Sequence, residues 1–112
     1  MKRYCQTLEL INDSCLLRKF EEECQKIEPE VVNGIKQAGI LNLQIFRYEN
    51  RLFMIIDTPD DFEWEKNMAR LALLPRQKEA KANVTRYQKI NPRTNSTENW
   101  ERINKIFDLE QN

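Results

Sequence analysis

The sequence predicts an α+β sandwich of ferredoxin-like kind, with about four strands and helices on one face. Residues 39 to 58 carry two apolar runs separated by Glu49-Asn50, a strand–turn–strand pattern. Before them, apolar residues recur every three or four positions from Leu16 to Ile35. After them, Thr58-Pro59-Asp60-Asp61 opens a second helical pattern. The order is then strand, long helix, strand, strand, helix and a short closing strand. Such a sheet leaves its other face open. A second copy of the chain is expected to cover it, making a homodimer.

Residues 2 to 10 alternate as a strand, with Tyr4, Gln6, Leu8 and Leu10 on one face and Cys5 and Thr7 on the other. Asn12-Asp13-Ser14 supplies a helix cap, because a short side-chain oxygen there accepts from the first free backbone N–H groups. Leu16, Phe20, Cys24, Ile27, Val31 and Ile35 form one apolar stripe, and Glu21, Glu22, Glu23, Lys26 and Glu30 fill the solvated positions. Pro29 removes a backbone donor and clashes with the preceding turn, so the helix divides near 13–27 and 29–38. Gly39 ends it as a left-handed cap.

Leu41, Leu43 and Ile45 begin the central hairpin, and its return run, Leu52 to Ile56, is apolar on both faces. A strand of that kind belongs in the middle of its sheet. Thr58 caps the next helix, which runs through Trp64, Met68 and Leu71 until Pro75 stops it. Residues 76 to 82 predict a second short helix, and 83 to 90 either its tail or a strand around Val84 and Tyr87. Residues 91 to 95 predict a loop. Trp100, Ile103 and Phe107 predict a short helix, with 106 to 109 as a closing strand.

All 112 residues are expected to form one domain, since nothing in the chain repeats or reads as a linker. Eighteen basic and eighteen acidic side chains balance, which removes the usual electrostatic reason to expect nucleic acid or an anionic membrane as partner. No apolar run approaches the roughly 20 residues of a membrane span. Cys5, Cys15 and Cys24 lack metal-binding spacing and no histidine is present, so neither a zinc site nor a Cys–His pair is expected. Free thiols in a reducing cytoplasm are the plain reading. Asn12, Asn83 and Asn95 each begin an N-x-Ser/Thr sequon and read as chance matches.

Several stretches resemble the L-rhamnose mutarotase family: Met1 to Thr7, Gly39-Ile40-Leu41, Asn50 to Ile55 and Leu74-Pro75-Arg76-Gln77. The similarity covers most of residues 1 to 90 in the family's order, and is nearest the branch of proposed L-fucose mutarotases. It implies a dimeric α+β barrel that interconverts the α and β anomers of a deoxyhexose without cofactor or metal. Aligned on Pro29-Glu30, Phe20 stands where the family has tyrosine, Cys24 where it has histidine and Glu28 where it has tryptophan. After Gln77, Glu79 or Ala80 stands where an aromatic ring belongs.

Mutarotation needs a base for the anomeric hydroxyl and an acid for the ring oxygen. The resemblance makes Glu30 and Cys24 the catalytic candidates, with Phe20, Arg76, Gln77 and Tyr4 as candidate sugar contacts. The plain alternatives stand beside these roles. Cys24 reads as a small buried hydrophobe, and Glu30 as a first-turn charge favoured by the helix dipole. Trp64 reads as core or dimer interface, and Trp100 has no assigned role. Three outcomes follow: a working mutarotase, a paralogue that binds a sugar without turnover, or a structural dimer whose pocket has filled in.

Overall fold

A computed structural model describes residues 1–89 and 100–111. Its elements are β1 (Lys2–Glu9), α1 (Ser14–Cys24), α2 (Pro29–Gln37), β2 (Asn42–Tyr48), β3 (Arg51–Thr58), α3 (Trp64–Ala72), α4 (Gln77–Tyr87), β4 (Glu101–Ile103) and a closing 3-10 turn, Leu109–Gln111. The sheet is antiparallel in the order β2-β3-β1-β4. With helices on one face, this is the expected ferredoxin-like α+β fold.

The pleat sends alternate side chains to opposite faces and so divides the chain's chemistry. Tyr4, Gln6 and Leu8 of β1 pair with Ile56, Met54 and Leu52 of β3 on the helix-covered face. Leu8, Leu10 and Leu52 pack with Phe20 of α1 and Tyr87 of α4, while Met54 and Ile56 pack with Ile40 and Phe62. The central position of β3 follows from its apolar run, as the sequence predicted. On the opposite face Phe46, Phe53 and Ile103 remain 51%, 37% and 44% exposed.

Most element boundaries agree with the local chemistry. Asp13 caps α1 by accepting from the backbone N–H of Cys15 at 2.9 Å and of Leu16 at 3.1 Å. The long helix is broken before Pro29, and Gly39 takes a positive φ of 98° just past the end of α2. Residues 83 to 87 continue α4, and Gln88 then forms an antiparallel bridge with Leu10.

Two expectations are corrected. Thr58 does not cap α3. It is the buried last residue of β3, held extended by Pro59, and its hydroxyl donates to the Pro59 carbonyl at 3.2 Å. A turn through 59–62 then drives Phe62 into the core, and α3 starts at Trp64. Nor do Trp100, Ile103 and Phe107 lie on a helix. Residues 101–103 pair with β1, and 106–109 form no strand. Edge pairing satisfies the backbone there, sending Arg102 to the helix-covered face beside Gln6 and Ile103 to the open face beside Cys5. The predicted loop at 91–95 lies outside the described residues.

Candidate active site

A cleft of about 460 Å³ opens between α1, the start of α2, α4 and the sheet. That is within the range of roughly 300–1,000 Å³ typical of small-molecule sites. Its floor is apolar, built from Phe20, Ile45, Met54, Val84 and Trp100. Its rim is charged: Lys19, Glu22, Glu23 and Lys26 from α1 and the turn after it, Glu79 from α4, and the Glu28–Arg76 pair. An apolar bed with a polar rim suits a molecule that carries one apolar face and several hydroxyls.

Helical spacing explains the α1 wall. Phe20, Glu23 and Cys24 lie three and four positions apart on α1 and all line the cleft, joined by Ile27 from the turn after it. Phe20 is buried and meets the ring of Tyr87 edge-on at 5.5 Å between centroids. Cys24 is half-buried, and its thiol pKa is pushed up by burial first and then by the nearby Glu23 and Glu21. The Cys24 sulfur therefore stays protonated at neutral pH. Glu23 Oε1 accepts a 2.8 Å hydrogen bond from the Tyr87 hydroxyl. That bond, with burial behind it, raises the phenol's pKa.

Arg76 closes one end of the cleft. Its guanidinium donates twice to the Glu28 carboxylate, Nε to Oε2 and Nη2 to Oε1, both at 2.8 Å. The hydrogen bonds and the paired charge hold the Glu28 carboxyl below its ordinary pKa and push the guanidinium's up. Arg76 reaches this position with a positive φ of 70°, a conformation uncommon outside glycine. The clasp joins the residue before α4 to the residue before α2.

Of the residues expected from sequence, Phe20, Cys24 and Arg76 therefore meet at one cleft, and the others stand elsewhere. Glu30 is exposed in the first turn of α2 and is not among the cleft-lining residues. The Gln77 side chain donates to the Val31 carbonyl at 2.9 Å, tying α4 to α2. Tyr4 packs against Trp64 with ring centroids 4.7 Å apart, in an aromatic group that also holds Phe62 and Arg102. Glu23, Asn83 and Trp100 were not expected at the site and do line it. The shared helical face with Phe20 was the available signal for Glu23. Trp100 had none, because its place against the core follows from the pairing of Glu101–Ile103 with β1 far away in sequence.

The L-rhamnose mutarotase sequence profile matches residues 3–109. The chain belongs to the L-rhamnose mutarotase family. It is 34% identical to an L-fucose mutarotase of Xanthomonas campestris pv. campestris, over 99% of this chain and 90% of that protein. Among solved structures it resembles an L-rhamnose mutarotase from Formosa agariphila, with a TM-score of 0.70 at 17% identity over 97% of this chain and 99% of the other. A dimeric ferredoxin-like protein from an uncultured marine organism superposes with a TM-score of 0.59 at 11% identity, over 96% and 99% of the two chains. At such identities these two structures speak for the fold alone. Phe20 and Cys24, which the resemblance was expected to set at the family's tyrosine and histidine positions, both line the cleft.

Proposed function

We propose that this protein interconverts the α and β anomers of a free deoxyhexose such as L-rhamnose or L-fucose, acting without cofactor in the cleft between α1, α4 and the sheet. The observation that carries this reading is the open cleft itself, lined by Phe20 and Cys24 of α1. A pocket filled by Phe20 and Cys24 would have left only a structural role. Here those side chains form wall and floor, and the rim supplies carboxylates, amines and an amide to meet sugar hydroxyls. The 34% identity to an L-fucose mutarotase supports the reaction class.

In this reading Phe20 and Trp100 take the apolar face of the pyranose, and Arg76 and Asn83 meet hydroxyls at the rim. Cys24, a protonated thiol, stands ready to donate to the ring oxygen, so the imidazole role is taken over by an acid rather than a base. Gln77 and Tyr4 serve the framework. A second reading is sugar binding without turnover, favoured by the half-burial of Cys24 beside Glu23 and Glu21, which pushes its thiol pKa up and keeps the thiolate scarce.

The same reading includes a homodimer in which residues 1–112 act as one unit and two sheets meet at their open faces as a dimeric α+β barrel. Phe46, Phe53 and Ile103 would be covered there, and the resemblance to a dimeric ferredoxin-like protein supports it. Polarimetry on a freshly dissolved single anomer of L-rhamnose or L-fucose tests the activity. The expected result is an approach to equilibrium whose rate rises in proportion to protein concentration. A rate equal to that of buffer removes turnover and leaves the binding reading.

A further inference from the structure

The cleft contains an acid in Cys24, and mutarotation also needs a base. Glu23 lines the cleft beside Cys24, one residue away on α1. An exposed glutamate on a helix ordinarily samples many rotamers. This one is fixed, because the Tyr87 hydroxyl donates to its Oε1 at 2.8 Å. Tyr87 is itself well held. Its ring is buried against Phe20, and its carbonyl accepts from the Ile11 N–H at 2.8 Å. The hydrogen bond therefore joins the two helical walls and leaves Oε2 of Glu23 without a bond among the described residues.

We infer that Glu23 is the catalytic base that takes the anomeric proton, and that Tyr87 is the positioning residue that holds it. The inference rests on the mutarotase reading above. The Glu23 carboxylate removes the proton from O1. The O1–H electron pair forms the C1=O1 double bond, the C1–O5 bond breaks, and its electrons pass to O5. O5 takes the proton of the Cys24 thiol. The free aldehyde turns about the C1–C2 bond and closes from its other face by the reverse steps, so no atom or electron is gained or lost.

The phenol missing at position 20 is thus supplied from α4 at position 87, and the base moves one residue along α1 from the family's histidine position. The charged and titratable groups around Glu23 are Lys19, Glu22, Cys24 and Lys26 from its own side of the cleft, and Glu79 and Arg86 with Tyr87 from α4. Removing the Tyr87 hydroxyl frees the Glu23 side chain to leave this position, which should lower kcat with little effect on how the sugar binds.

The test is the kcat and KM of L-fucose anomer exchange by the full chain, its Glu23→Gln variant and its Tyr87→Phe variant. Circular dichroism of all three controls for folding. Glu23→Gln is expected to lose on the order of 100-fold in kcat, the usual range for a lost general base, with KM little changed. Tyr87→Phe is expected to lose about 10-fold in kcat with KM little changed. Glu23→Gln within threefold of the native rate, or a Tyr87→Phe kcat that equals the native one, overturns the inference while the mutarotase reading stands. A native protein that exchanges no sugar overturns both.

Discussion

Cys24 shows how one position can serve packing and still line a cleft. It lies on the apolar stripe of α1, half-buried, at the cleft wall. Cys24→Ala should lower stability by about 1 kcal/mol through lost contacts, as chemical denaturation would show. A second signature is how that loss changes with pH. Because the folded thiol has a raised pKa, its proton-linked stabilisation is complete below the ordinary thiol pKa of about 8.5 and is lost as pH rises through the folded value. The gap in melting temperature between native and Cys24→Ala protein should therefore shrink as pH rises past the ordinary thiol range. A constant difference across that range would contradict a raised pKa.

At this same scale the sequence was legible where a motif fixed the alignment. Phe20, Cys24 and Arg76 were expected together from their positions around Pro29-Glu30 and Pro75, and all three line the one cleft. Glu30 was drawn in by the same motif, yet it is exposed in the first turn of α2 and is not among the residues that line the cleft. Glu23 looked like one of three solvated glutamates. Its distinction is a partner 64 residues away, which no local pattern encodes.

Elements were legible where backbone chemistry is local. Asp13 before α1, the break before Pro29 and Gly39 after α2 all stand as predicted. Gly39 makes the strongest demand, because its φ of 98° is strained for any L side chain. Gly39→Ala should cost about 1–2 kcal/mol by denaturant melts. A neutral result would mean that the chain leaves α2 by another route. The failures came where tertiary contact overrides local signal. Thr58-Pro59 has the sequence of a helix start, but burial of Thr58 in β3 and of Phe62 in the core delays α3 to Trp64. Trp100, Ile103 and Phe107 have helical spacing, and the open edge of β1 recruits the segment as a strand instead.

For the molecule as a whole, the division between sheet faces governs both partnership and chemistry. The helix-covered face carries the cleft, and the open face carries Phe46, Phe53 and Ile103 around Cys5 and Ile55. Phe53 sits on the central strand β3, so Phe53→Lys should convert a dimer to a monomer in light scattering behind size exclusion, with the monomer still folded. A native protein that is already monomeric at micromolar concentration would contradict the proposed pairing of sheets. The reaction is the larger claim. Saturation-transfer NMR on the anomeric protons of L-fucose and L-rhamnose, at equilibrium and with catalytic amounts of protein, measures it most directly. Saturating one anomer's signal should diminish the other's in proportion to protein concentration, for at least one of the two sugars. Transfer no greater than in buffer for both would contradict a mutarotase working in the cleft of α1 and α4.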